Sequence, residues 1–133
     1  MADDHAVVRH GLKQILADEF KGADFGEARN AQEALNRVWK ENWDVVVLDI
    51  TMPGRSGLEV LREIKKSKPI LPVQVLSMHP ENQFAVRVLK RGASGYMTKE
   101  SAPEELVGAI RKVLAGGRYV STSLAEKLAT YVS

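Results

Sequence analysis

Residues 45–48, Val-Val-Val-Leu, form an unbroken apolar run, mostly β-branched, that stops on a carboxylate at Asp49. Such a run predicts a strand buried on both faces of a parallel sheet. Thr51-Met52-Pro53-Gly54 follows, so the strand breaks into a turn almost at once. A parallel sheet needs crossover connections, and ligand chemistry in open α/β sheets gathers just beyond the carboxyl ends of the strands. A carboxylate at that place is a metal ligand, a nucleophile or a cap for the next helix. Ser56 stands closer to the apolar-periodic run beginning at Leu58 and is the better cap. Asp49 is therefore expected to carry chemistry.

The rest of the chain supplies the crossovers. Val8, Leu12, Ile15 and Leu16 recur at helical spacing and predict a helix from His5 to about Glu19. Residues 25–28 read as a short edge strand. Asn30-Ala-Gln-Glu33 has the form of a capping box, which Ala34, Leu35, Val38 and Trp39 continue as a second helix. Leu58, Leu61 and Ile64 mark a third helix that must stop before Pro69. Residues 73–76 are another apolar run, ending on Ser77. Phe84, Val88 and Leu89 mark a fourth helix closed by Gly92, and residues 95–98 a short strand ending beside Lys99. Ser101-Ala-Pro-Glu104 reads as the cap of a fifth helix, with Leu106, Ala109, Ile110, Val113 and Leu114 on its apolar face and Gly116-Gly117 at its end. Residues 121–131 read as one more helix, with Leu124 and Leu128 as its stripe. Strands alternating with helices predict a single flavodoxin-like α/β domain with a doubly wound parallel sheet.

The bulk numbers narrow the partners. A length of 133 residues suits one domain. A net charge of +2 is too small for nucleic-acid binding by bulk electrostatics, and Lys65, Lys66 and Lys68 read as the wet face of a helix. The absence of cysteine removes disulfides and thiolate metal sites. No apolar run approaches membrane-spanning length, and Asp3 and Asp4 stand where an export signal would be basic. A cytoplasmic protein with no membrane partner is expected.

In such a sheet the strand carboxyl ends share one edge, which gathers Asp3, Asp4, Asp49, Ser77 and Lys99. Clustered carboxylates repel unless a cation neutralises them, and hard oxygen donors favour Mg²⁺. A lysine supplies a point charge suited to phosphate oxygens, and a hydroxyl a donor. Together they suggest a phosphoryl site in which the carboxylate is either a ligand or the acceptor.

The strings ADDHAVVRHGL, VVVLDITMPGRSGLE, VLSMHPE and GYMTKESAPEELVGAI resemble a two-component response-regulator receiver domain of the NarL/FixJ (LuxR-type output) kind, over nearly the whole chain. The resemblance implies a CheY-like sheet of five strands in the order 2-1-3-4-5, with the receiver over 1–117 and a helical linker start over 118–133. It implies that Asp49 accepts a phosphoryl group from a sensor histidine kinase and later loses it by hydrolysis. Asp4 then matches the direct Mg²⁺ ligand, Asp3 its neighbour acting through water, and Thr51 the residue offering a backbone carbonyl. Ser77 matches the switch hydroxyl, Lys99 the phosphoryl-binding lysine, and Tyr96 the aromatic that turns inward after phosphorylation. A homodimer through the fifth helix and a DNA-binding output domain outside this chain are also implied. A stand-alone receiver acting through protein contacts is the alternative.

Two other readings compete. A haloacid-dehalogenase-type phosphatase would want a second acid two residues after the nucleophile, where Thr51 stands. A flavin carrier would want a Ser/Thr- and Gly-rich loop where this chain has two acids. His5, His10 and His79 are expected to be structural or surface residues. One departure is expected to matter: only Met1 and Ala2 precede the acid pair, where the family has a central strand. A truncated first strand predicts weak stability, a displaced Asp3/Asp4 pair and poor Mg²⁺ affinity.

Overall fold

The computed structural model describes residues 1–52, 56–78, 82–120, 125, 126 and 129, and only the backbone of 82–84. The Pro53-Gly54 turn, His79, the Phe84 side chain and most of the helix expected over 121–131 lie outside the described residues.

Among the described residues, nine elements follow in order: α1 (Ala6–Glu19), α2 (Ala31–Lys40), β1 (Val46–Asp49), α3 (Gly57–Ser67), β2 (Val73–Ser77), α4 (Asn82–Lys90), β3 (Gly95–Thr98), α5 (Ala102–Leu114) and β4 (Tyr119–Val120). The strands run parallel in the order β1-β2-β3-β4. Their alternation splits the core in two. Val46, Leu48, Val73, Val75 and Tyr96 pack on the α2–α4 face, while Val47, Leu76 and Met97 pack on α1 and α5. Leu35, Leu61 and Leu106 are fully buried, each contributing about 1.5–3 kcal/mol by the usual transfer scale.

Among the described residues the regular sheet has four strands, and the first two expected strands are present only as bridges. Residues 25–28 form no regular strand; Ala28 bridges Ala2, and Gly26 C=O accepts from the Met1 amine at 2.9 Å. At the other end the two-residue β4 joins β3, a strand the sequence reading missed. The first strand is short but seated: Ala2 bridges Ala28 on one side and Leu48 on the other. Its N–H donates to Val47 C=O at 2.8 Å, and its C=O accepts from Asp49 N–H at 2.9 Å. Two residues thus hold the central place.

The caps depart in detail. Asn30 accepts the Glu33 N–H as expected, but the Glu33 carboxylate reaches back to Arg29 N–H rather than closing the box on Asn30. Ser56 and Ser101 sit at N-cap positions without a capping bond; Thr98 Oγ1 accepts the Ser101 N–H instead.

Gly95 is a site of close approach. A Cβ there would lie 2.1 Å from Gln74 Oε1 and 2.6 Å from the Tyr119 carbonyl, so the glycine makes room for a buried glutamine. Both amide atoms of Gln74 are buried without a hydrogen-bond partner among the described residues. Because an unpaired buried polar group is costly, Gln74→Met is expected to raise stability by about 1–3 kcal/mol in urea unfolding; an unchanged or lower midpoint contradicts this.

Candidate functional site

Strand register assembles the site. Asp49 ends β1, opposite Leu76; Ser77 is the next residue along β2, opposite Thr98 of β3. Lys99 N–H donates to Ser77 C=O at 2.8 Å, which turns the chain so that the lysine side chain enters the edge. Its Nζ lies 2.7 Å from Asp49 Oδ2 and 3.3 Å from Asp3 Oδ2. All three side chains are buried.

Each carboxylate oxygen of Asp49 has a separate role. Oδ1 accepts from Thr51 N–H at 3.0 Å and from Thr51 Oγ1 at 2.7 Å. Oδ2 faces Lys99 as an ion pair without the angles of a hydrogen bond, and Asp3 Oδ2 does the same. Burial raises the Asp49 pKa, but Lys99 and the two Thr51 bonds outweigh it and hold the carboxyl below its ordinary value. Burial likewise lowers the pKa of Lys99, and Asp49 with Asp3 overcomes this, leaving the ammonium above its ordinary value.

These directions set a pH window. A depressed carboxylate stabilises the fold above its ordinary pKa of 3.8 and loses that contribution as pH falls through the folded value. A raised ammonium stabilises below 10.5 and loses its contribution above that. The metal-free pair is therefore expected to act fully between those limits. The stability difference between wild type and Asp49→Asn, from urea melts, should be constant across neutral pH and change towards pH 3; a difference that changes mainly near pH 7 contradicts the assignment.

The acid pair is not displaced, which corrects the expectation drawn from the short first strand. Ligand atoms of Asp3, Asp4, His5 and Asp49 all lie within 4.8 Å of one another. The stub is fixed from outside the sheet as well: buried Arg9 donates from its guanidinium to Asp3 C=O at 2.7 Å and to Glu27 Oε1 at 3.0 Å. Asp3 is the buried member, and Asp4 the exposed one. Three carboxylates, two of them with an oxygen accepting no hydrogen bond, fit a hard divalent cation such as Mg²⁺.

Two residues of the site were missed in the sequence. His5, expected to be structural or surface, brings Nδ1 to 3.3 Å from Asp4 Oδ1 and 3.1 Å from Lys99 Nζ. Arg9 sits on the buried stripe of α1, and neither its type nor its spacing signalled an anchor. His10 instead lies 3.6 Å from Glu27, on the surface. Tyr96, on β3, is buried in the core. Ser77 is buried at the strand end.

Residues 1–111 match the family model of the response regulator receiver domain. The chain belongs to that family. Receiver domains are signalling domains rather than classical enzymes, and the haloacid-dehalogenase and flavin readings fall. The receiver is 39% identical over 130 residues to the response regulator UvrY of Escherichia coli, covering 97% of this chain and 59% of that protein. It is 40% identical over 129 residues to the response regulator GacA of Pseudomonas aeruginosa, covering 97% and 60%. The chain thus spans about three fifths of the length of these curated relatives. The crystal structure of a two-component response regulator of the LuxR family from Aurantimonas sp. SI85-9A1 superposes with a TM-score of 0.90, at 37% identity, covering 98% of this receiver and 93% of that chain. The NarL/FixJ-type kinship expected from the motifs holds. Among the described residues no helix is long and apolar enough to cross a membrane.

Proposed function

We propose that this receiver is a phosphorylation-dependent switch whose acceptor is Asp49. The observation that carries the reading is the ion pair of Lys99 Nζ with Asp49 Oδ2 at 2.7 Å, beside the oxygens of Asp3 and Asp4. Thr51 occupies Oδ1 with two bonds, so Oδ2 is the oxygen left for attack. Oδ2 attacks the phosphorus of a kinase phosphohistidine; the O–P bond forms, the N–P bond breaks, and its electron pair stays on the imidazole nitrogen. Lys99 and Ser77 then hold phosphoryl oxygens, and water later cleaves the aspartyl-phosphate.

Asp4 and Asp49 would hold Mg²⁺ directly, with Asp3 acting through water and Thr51 offering its carbonyl. The ion supplies charge neutralisation for the transferring phosphoryl group. Tyr96 is the aromatic switch residue, rearranging with Ser77 after phosphorylation. The donor is a sensor histidine kinase in the cytoplasm, α5 is the surface for a homodimer, and a DNA-binding output domain in a longer protein reads the change. The segment 118–133 would start the linker to it.

The test is incubation with acetyl phosphate and Mg²⁺, followed by intact mass. One base-labile, acid-stable phosphoryl adduct is expected, and chelating the metal should prevent it. No adduct, or one indifferent to chelation, overturns the reading.

A further inference from the structure

His5 is the member of the acid cluster to which the proposed chemistry gives no task. It stands in extended backbone just before α1, and its side chain makes no capping bond to the helix. Its N–H donates to Asp3 Oδ1 at 2.8 Å, a turn that brings the imidazole back to the carboxylates. Nδ1 lies 3.3 Å from Asp4 Oδ1, 3.4 Å from Asp3 Oδ1 and 3.1 Å from Lys99 Nζ.

The lysine decides how that nitrogen is used. An ammonium has three donors and no acceptor, so a ring nitrogen facing it offers a lone pair, and the ring proton is on Nε2. Lys99 Nζ also lies within 3.3 Å of oxygens of Asp3 and Asp49. One nitrogen and two carboxylates thus already surround a positive charge. Asp3 Oδ2 and Asp49 Oδ2 are buried and accept no hydrogen bond, so the oxygens of this cage are open to a second cation. Ligand atoms of the same three residues and Asp4 fall within 4.8 Å of one another.

A nitrogen donor changes which ions such a cage prefers. Mg²⁺ takes hard oxygen donors, whereas Co²⁺, Ni²⁺ and Zn²⁺ bind imidazole well. We infer that His5 is a metal-specificity residue. Its Nδ1 joins Asp4 and Asp49 as a ligand for a borderline divalent transition ion, and it stays outside the coordination of Mg²⁺. This rests on the metal site of the proposed switch and extends it: one cluster takes two classes of ion, told apart by one nitrogen. Asp3, Asp4, Asp49 and the Thr51 carbonyl offer only oxygen and do not make that distinction. The ring is half-exposed, so it can settle onto an ion without disturbing the core.

The test titrates Mg²⁺ and Co²⁺ separately into the full chain by calorimetry, for wild type, His5→Asn and His10→Ala. Asparagine keeps a polar side chain at the turn and removes the ring nitrogen. His5→Asn should weaken Co²⁺ binding on the order of tenfold or more and Mg²⁺ binding by no more than about twofold. His10, on the surface beside Glu27, should matter to neither ion. NMR of the Co²⁺ form should show one hyperfine-shifted exchangeable imidazole proton, the Nε2–H of a ring bound through Nδ1. His5→Asn should remove that signal and His10→Ala should keep it. Equal weakening of both ions would reduce His5 to a support for Lys99 and overturn the assignment. Unchanged Co²⁺ binding in His5→Asn, or a shifted proton that survives it, would overturn the assignment too. In each of these cases Mg²⁺ still binds the wild type and the switch reading stands; a wild type that binds neither ion overturns both.

Discussion

Lys99→Met is expected to lower the stability of the metal-free chain by about 3–5 kcal/mol at neutral pH. The ammonium is the cation within 3.3 Å of both Asp3 and Asp49, and all three groups are buried. Methionine fills much of the same space but leaves two carboxylates facing each other without a counter-charge. The like charges repel, so the deficit should shrink as pH falls towards 5 and protons relieve that repulsion. Mg²⁺ should recover part of it by entering the acid cluster. Urea unfolding at pH 7 and pH 5, with and without Mg²⁺, reads all three effects. A loss under 1 kcal/mol, or one that is the same at both pH values, would mean that the ion pair does not hold the site together.

Asp49→Asn is expected to do the reverse: abolish phosphoryl uptake while leaving the fold nearly as stable as before. Lys99 keeps Asp3 as its partner, so the pocket holds one buried charge of each sign instead of an excess of acid. The amide oxygen can still accept from Thr51 at the Oδ1 position. The carboxamide cannot act as the nucleophile, because it lacks the anionic oxygen at Oδ2. The stability change should stay within about 1 kcal/mol, with the acetyl phosphate adduct gone. Comparing the two variants separates the roles: Lys99 is felt in folding, Asp49 in chemistry.

The features legible in the sequence were those with local signatures. The apolar run into Asp49 and the run into Ser77 both appear as strands, because burial on two faces writes itself into consecutive residues. Lys99 could be placed beside them because β3 is short and ends on its neighbour. The features that escaped depend on distant partners. Nothing local marks Ala2 as a strand residue; its place comes from Ala28 and Leu48. Arg9 reads as a charged position on a helix, and its burial is set by Asp3 C=O and by Glu27, 18 residues away. His5 looked unrelated to the other histidines, and it is; its partners are the acids and the lysine. Ser101 makes no side-chain cap; its own N–H donates to Thr98 Oγ1 at the strand end, and the Glu104 N–H goes to the Ser101 carbonyl.

The acids are held in place by the backbone of residues 1–3 and by α1. Four backbone hydrogen bonds from residues 1–3 to Ala28, Val47 and Asp49 fix the stub, and Arg9 locks it from α1. The expected displacement of Asp3 and Asp4 is not seen, because their position is set by these contacts.

The central claim is that Asp49, and no other carboxylate of the cluster, carries the phosphoryl group. It is tested most directly by phosphorylating the wild-type chain with acetyl phosphate and Mg²⁺, reducing the acyl phosphate with borohydride, and mapping peptides by mass. Reduction converts a phosphorylated aspartate to homoserine and marks its position. Homoserine at residue 49 alone is the predicted result; homoserine at residue 3 or 4, or at no aspartate despite a mass adduct, would contradict the account.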